Sequence, residues 1–213
     1  MTPPQKERIG RLAERVRQQF LQDHSGHDWW HVWRVWQLAR KIAGAEGANL
    51  YVVELAALCH DLEDWKLHAS PRIAEWLAGL EAEPEVIEQV VDICQRISFK
   101  GAGVPDDMQS LEGRVVQDAD RLDAIGAIGI ARTFAFGGAR ERLLYDPSDP
   151  PKLHDSFETY KSKSGSSLNH FYEKLLLLKD RMHTQTARKI ALERHRYMQE
   201  FVARFMDEWN GVR

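Results

Sequence analysis

Apolar residues recur at helical spacing almost from one end of this chain to the other, and nowhere do they alternate as a half-buried strand would. That property restricts the fold to the all-α class. Ile9, Leu12, Val16 and Phe20 mark the inner face of a first helix. Ser25-Gly26-His27-Asp28 interrupts the chain and restarts it, with Ser25 or Asp28 as the cap of a second helix over about 27–43 that closes at Gly44 and Gly47. A third helix is expected from about Leu50 to Leu62. Ser70-Pro71 starts a short one reaching about Leu80, and Glu83-Pro84-Glu85 opens another that ends near Ile97. Gly101, Gly103 and Pro105 make 98–110 a loop. Leu111 to Phe136 reads as one helix bent near Gly126 and Gly129 and stopped by Gly137-Gly138. Prolines break 145–151, and 162–167 is polar and mobile in character. Two helices, about 168–182 and 184–209, finish the chain, and no fixed repeat period is present.

With 213 residues the chain can bury a substantial core. The expectation is one bundle-type domain over 1–213, with its core in about 24–136 and the C-terminal helices of about 168–209 packed on it. Loops near 98–110 and 138–167 would roof a cleft. A formal net charge of -3 gives no global basic face for nucleic acid or an acidic membrane. No apolar run is long enough to span a bilayer, and the first residues do not read as a signal peptide, so a cytoplasmic protein is expected. Cys59 and Cys94 lie far apart without CxxC spacing and read as buried free thiols. No Walker loop or GxSxG elbow is present.

Chemistry concentrates in His31, the adjacent pair His60-Asp61, and Asp118. The doublet ends the apolar run Leu55-Ala56-Ala57-Leu58-Cys59, where two ionisable side chains are costly to bury without a partner. Imidazole nitrogen and carboxylate oxygen together suit a divalent transition metal. Consecutive residues on a helix project about 100° apart, so near a helix end both can reach one ion. His31 comes from the preceding helix and Asp118 from a third, and four ligands leave coordination positions open for catalysis.

A lone His, a His-Asp doublet and a distant Asp, all on helices, resemble the HD-domain superfamily of metal-dependent phosphohydrolases, and within it the short bacterial YpgQ/YedJ type. The segments that carry the likeness are Asp28-Trp29-Trp30-His31-Val32-Trp33-Arg34-Val35, His60-Asp61-Leu62-Glu63-Asp64-Trp65-Lys66, Gln117-Asp118-Ala119-Asp120-Arg121-Leu122-Asp123-Ala124-Ile125-Gly126 and His170-Phe171-Tyr172-Glu173-Lys174-Leu175. The resemblance implies His31, His60, Asp61 and Asp118 as ligands of one divalent ion, with Asp64, three positions after Asp61, helping to move a proton. Ile93-Cys94-Gln95-Arg96-Ile97-Ser98 offers no His pair where multi-metal branches place extra ligands. Mn²⁺ or Mg²⁺ is expected for activity, while imidazole ligands also admit Ni²⁺, Co²⁺, Fe²⁺ or Zn²⁺.

Other residues are weighed against plainer roles. Asp64 is favoured over Glu63 as the general acid or base, Glu63 being equally well a surface charge. Lys66, Lys100, Arg121 and Lys174 are candidate phosphate contacts, Lys100 and Arg121 foremost, and Arg96 falls on a segment expected nearby. His170 reads as a leaving-group contact or a helix-surface histidine, and Arg34 as a carboxylate partner or a surface ion pair. His27 suits a surface or capping role, Asp120 a solvated or supporting one, and Asp123 a partner for Arg121. Trp29, Trp33 and Trp36 form a stripe read as core, with Trp30 able to line a pocket.

The resulting expectation is hydrolysis of a small phosphorylated substrate. A nucleoside or deoxynucleoside triphosphate would be cleaved to monophosphate and pyrophosphate by a monomer or homodimer without nucleic-acid or membrane partners. The alternatives are a nucleoside monophosphate phosphatase and a non-catalytic helical module that a metal merely stabilises.

Overall fold

The computed structural model describes residues 1–20, 28–62, 73–97, 106–152 and 165–212. Among them only helices, turns and irregular segments occur. The chain divides into two compact units, Met1–Ser98 with Asp107–Asp120, and Phe99–Asp106 with Arg121–Arg213.

The first unit is built around a short helix buried on every side. Helix α1 spans Pro3–Gln19 and buries Ile9, Leu12, Ala13 and Val16, the expected face. A capping box fixes its start, the Thr2 hydroxyl accepting from the Gln5 amide while the Gln5 side chain accepts from the Thr2 amide. Helix α2 spans Trp29–Glu46. Asp28 is its N-cap, and the helix runs through Gly44 to a left-handed Gly47 at φ 74°. Helix α3, Leu50–Cys59, begins at Asn49, whose side chain accepts from the Tyr51 amide at 3.1 Å. Every residue from Tyr51 to Cys59 is buried, because α3 packs against α1, α2 and α5. Helix α4 spans Ile73–Ala78, and α5 spans Pro84–Arg96 with proline in its first turn. Helix α6, Leu111–Asp123, supplies its first ten residues to this unit.

One buried acid interrupts the apolar α3. Glu54 is 2 % exposed, accepts from the Trp36 indole N–H at 2.7 Å and pairs with the Arg40 Nε at 3.4 Å. These contacts tie α3 to α2. They also correct the tryptophan stripe: Trp36 spends its polar edge on Glu54, and Trp33 is 41 % exposed rather than core. The residues that seat α2 are Val32, Val35, Ala39, Ile42 and Ala43. Cys59 is a buried free thiol as expected, whereas Cys94 is only half-buried.

In the second unit the helix expected to bend near Gly126 is two helices, α6 ending at Asp123 and α7 spanning Gly126–Ala139. Gly126 has φ +79°, and a Cβ there would lie 2.9 Å from the Arg194 side chain, so the break needs glycine. Helix α8 is Asn169–Glu173, followed by a 3₁₀ helix, Leu175–Arg181. Helix α9, Gln185–Trp209, starts at Thr184, whose hydroxyl accepts from the Ala187 amide, and it packs on α7 and on the 3₁₀ helix. Ser166 and Ser167 are buried, contrary to the mobile polar stretch expected there. No single helix among the described residues is long and apolar enough to cross a membrane.

Candidate metal centre

Two features of local structure place the imidazoles. Asp28 caps α2 by accepting from the His31 amide at 2.8 Å, so His31 sits in a fixed first turn. His60 is the C-cap of α3, where helical hydrogen bonding runs out, and Asp61 and Leu62 continue as a turn closed from the Leu62 amide to the Cys59 carbonyl at 2.9 Å. The packing of α2 on α3 brings His31 and His60 together inside one unit. Their rings meet edge to face with centroids 5.1 Å apart.

The Nδ1 of His60 lies 2.8 Å from the Ala57 carbonyl. A carbonyl only accepts, so Nδ1 carries a proton, and in the neutral ring that leaves the lone pair on Nε2. This is the second bond that a ligating histidine requires. The Nε2 atoms of His31 and His60 are 3.2 Å apart. Asp61 Oδ2 stands 3.2 Å from the first and 3.5 Å from the second. Asp120 Oδ1 stands 3.6 Å and 3.9 Å from the same two nitrogens.

His31, His60 and Asp120 each offer an atom within 4.8 Å of the others, and Asp61 Oδ2 lies within 3.5 Å of both imidazole nitrogens. Ligand bonds of about 2.0–2.2 Å arranged tetrahedrally set donor atoms about 3.3–3.6 Å apart. The five spacings given above, 3.2–3.9 Å, straddle that range. Both histidines and Asp61 are at least nine-tenths buried, whereas the Asp120 side chain is 33 % exposed, so the cluster has an open side. Buried acceptors drawn this close favour a cation among them.

The acid brought to the imidazoles is therefore Asp120, read from sequence as solvated or supporting. Asp118, the acid assigned as ligand, is fully buried on the same helix, and two residues of helical twist turn the side chains about 200° apart. Glu63, Asp64, Lys66, Lys100 and His27 lie outside the described residues. Lys174, the C-cap of α8, and His170 within α8 are half-buried in the second unit. Arg34 is half-buried on α2. Arg96 pairs with Asp92 at 2.6 Å and Asp107 at 3.2 Å, and those carboxylates hold its pKa above the ordinary guanidinium value.

Arg121 is 3 % exposed and committed within its own unit. Its Nη2 donates to Asp106 Oδ1 at 2.6 Å, and its Nη1 donates to the Arg181 carbonyl and lies 3.4 Å from His183 Nε2. Asp123, expected to hold Arg121, pairs with Arg132 at 2.7 Å.

The HD domain family model matches residues 29–125, the stretch that contains all of these candidate ligands. Bacillus subtilis (strain 168) YpgQ is 42% identical over 210 residues, covering 94% of this chain and 95% of its own. The chain belongs to the HD-domain superfamily. A solved HD-superfamily hydrolase from Bacillus thuringiensis superposes with a TM-score of 0.76 at 43% identity, covering 97% of this chain and 98% of its own. The structure of Bacillus subtilis YpgQ in complex with ADP superposes with a TM-score of 0.78 at 35% identity, covering 96% of each chain. A shorter match, 41% identity over 69 residues, is to a dATP triphosphohydrolase of Cyanophage S-2L and covers 27% of this chain and 39% of that one. The chain is thus an HD-superfamily hydrolase in fold and kinship. The superfamily implies a divalent metal, and the mixed nitrogen and oxygen donors gathered here suit one.

Proposed function

We propose that this HD-domain protein is a divalent-metal-dependent phosphohydrolase that cleaves a nucleoside or deoxynucleoside triphosphate to the monophosphate and pyrophosphate. The observation that carries the reading is the convergence of His31 Nε2, His60 Nε2, Asp61 Oδ2 and Asp120 Oδ1 within 3.2–3.9 Å contacts. A nucleotide as substrate is favoured by the ADP complex of YpgQ and by the partial likeness to a dATP triphosphohydrolase. The family match runs from 29 to 125 and crosses from one compact unit into the other, which favours both units serving one HD-type domain.

In this reading His31, His60, Asp61 and Asp120 hold the metal. A bound divalent ion, Mn²⁺ or Mg²⁺, supplies Lewis acidity toward a phosphate oxygen and a more acidic water. The Ala57 carbonyl keeps the proton on His60 Nδ1 and so keeps Nε2 available as a donor atom. Asp64 is the proposed proton carrier, with Glu63 its competitor. Lys66, Lys100 and Lys174 are the proposed phosphate contacts.

The test is a hydrolysis screen of nucleoside mono- and triphosphates with each divalent ion, phosphate and pyrophosphate being detected separately. Pyrophosphate from a triphosphate, lost on chelation and restored by one ion, supports the reading. Phosphate from monophosphates alone would replace it with a nucleotidase. A protein that loses stability but shows no turnover to lose on Asp61→Ala would be a metal-stabilised module instead.

A further inference from the structure

The basic residue next in sequence to Asp120 has every feature of an anchor and few of a substrate contact. Arg121 is 3 % exposed, and its guanidinium is held by Asp106, by the Arg181 carbonyl at the end of the 3₁₀ helix and by His183. Its Nε is buried and has no hydrogen-bond partner among the described residues. A guanidinium spent on three protein groups has little left for an incoming phosphate, but it fixes the last turn of the helix that bears it. That helix is α6, and the residue preceding Arg121 on it is Asp120, whose side chain is the most exposed of the cluster and therefore depends most on its backbone for aim.

We infer that Arg121 is a positioning residue: by locking the C-terminal turn of α6, it sets the direction of the Asp120 carboxylate at the metal centre. The inference rests on the proposed metal reading of that centre. Asp106 is the partner through which it can be weakened without emptying the buried arginine site.

Affinity for Mn²⁺ alone is measured by titration calorimetry on the full chain, with folding checked by circular dichroism. The proteins are wild type, Asp106→Asn, Arg121→Lys and His31→Ala. Groups that orient metal ligands contribute about 10–100-fold to metal affinity. The expected result is a loss of about tenfold for Arg121→Lys, a smaller loss for Asp106→Asn, and no binding for His31→Ala. With dATP as probe, kcat falls while KM stays within about twofold, the signature of an interaction absent from ground-state binding. Unchanged Mn²⁺ affinity in folded Arg121→Lys and Asp106→Asn overturns the inference alone. So does a rise in KM with unaltered Mn²⁺ affinity, which makes Arg121 a phosphate contact. Absence of Mn²⁺ binding in the wild type overturns the metal reading, and the inference with it.

Discussion

Two aspartates separated by one alanine stand differently on α6, and substitution tests the roles proposed for them. Asp120 carries an oxygen within 3.9 Å of both imidazole nitrogens, whereas Asp118 is completely buried about 200° round the helix. Asp120→Asn is expected to weaken Mn²⁺ binding about 100-fold or more with little change in the stability of the metal-free protein. Asp118→Asn is expected to lower that stability by about 1–3 kcal/mol, the usual effect of disturbing a buried polar group, and to leave Mn²⁺ affinity within a few-fold. Chemical denaturation and calorimetry read the two effects separately. The sequence did not distinguish these acids because α6 buries Val115, Val116, Gln117, Asp118, Ala119, Arg121 and Leu122, nearly its whole circumference. Apolar periodicity then carries no phase, and it is the packed helix that brings an Asp120 oxygen within 3.9 Å of His31 and His60. The doublet His60-Asp61 stands out in the sequence at any phase, because it closes an apolar run.

At the level of the element, caps decide where ligands stand. The Asp28 carboxylate accepts from the amide of His31 itself, so the cap of α2 and the placing of the proposed ligand imidazole are one interaction. Asp28→Ala is expected to remove about 1 kcal/mol of stability, a drop of about 2–4 °C in Tm at this size, and to reduce Mn²⁺ affinity several-fold. A thermal melt and a metal titration on the same sample check both. Helix boundaries were readable from such local chemistry: Asp28, Gly47 and Pro84 stand where a cap or first-turn residue was expected. The tryptophans were not. Trp33 and Trp36 share a spacing that a core stripe would have, but Val32, Val35 and Ala39 fill the packed face and leave the larger rings at its edge.

Helix α9 contributes a pH dependence of its own. His195 is 6 % exposed, its Nδ1 has no partner, and burial pushes its pKa below the ordinary 6.5, with Lys179 adding to the shift and Asp180 opposing it. The unfolded chain therefore binds this proton more readily than the folded one. Stability falls as pH drops below about 6.5 and is unaffected by this group above it. His195→Gln is expected to lose less Tm than wild type between pH 7.5 and 5.5, and parallel curves would contradict this.

For the whole molecule, the proposed centre, assembled from α2, the end of α3 and α6, would couple metal binding to folding, because the unfolded chain cannot gather those donors. Mn²⁺ at 100 times its Kd should add about 2.7 kcal/mol, seen as a Tm that climbs with metal concentration and drops on chelation. His31→Ala should abolish the climb. The helical class was legible throughout, since amphipathic spacing recurs from Ile9 to the C-terminal helix. The periodicity does not mark the boundary between Asp120 and Arg121, because α6 carries the chain across it as continuous helix.

The indoles of Trp30 and Trp33 stand 59 % and 41 % exposed, edge to face at 6.2 Å, one position before and two after His31. Their emission is therefore sensitive to its surroundings within a turn of the proposed ligand. A paramagnetic ion settling beside His31 should dim it, and a diamagnetic one such as Zn²⁺ should not. If the proposed centre takes its ion, these two indoles give the protein a built-in optical gauge of how full it is, readable without label or substrate.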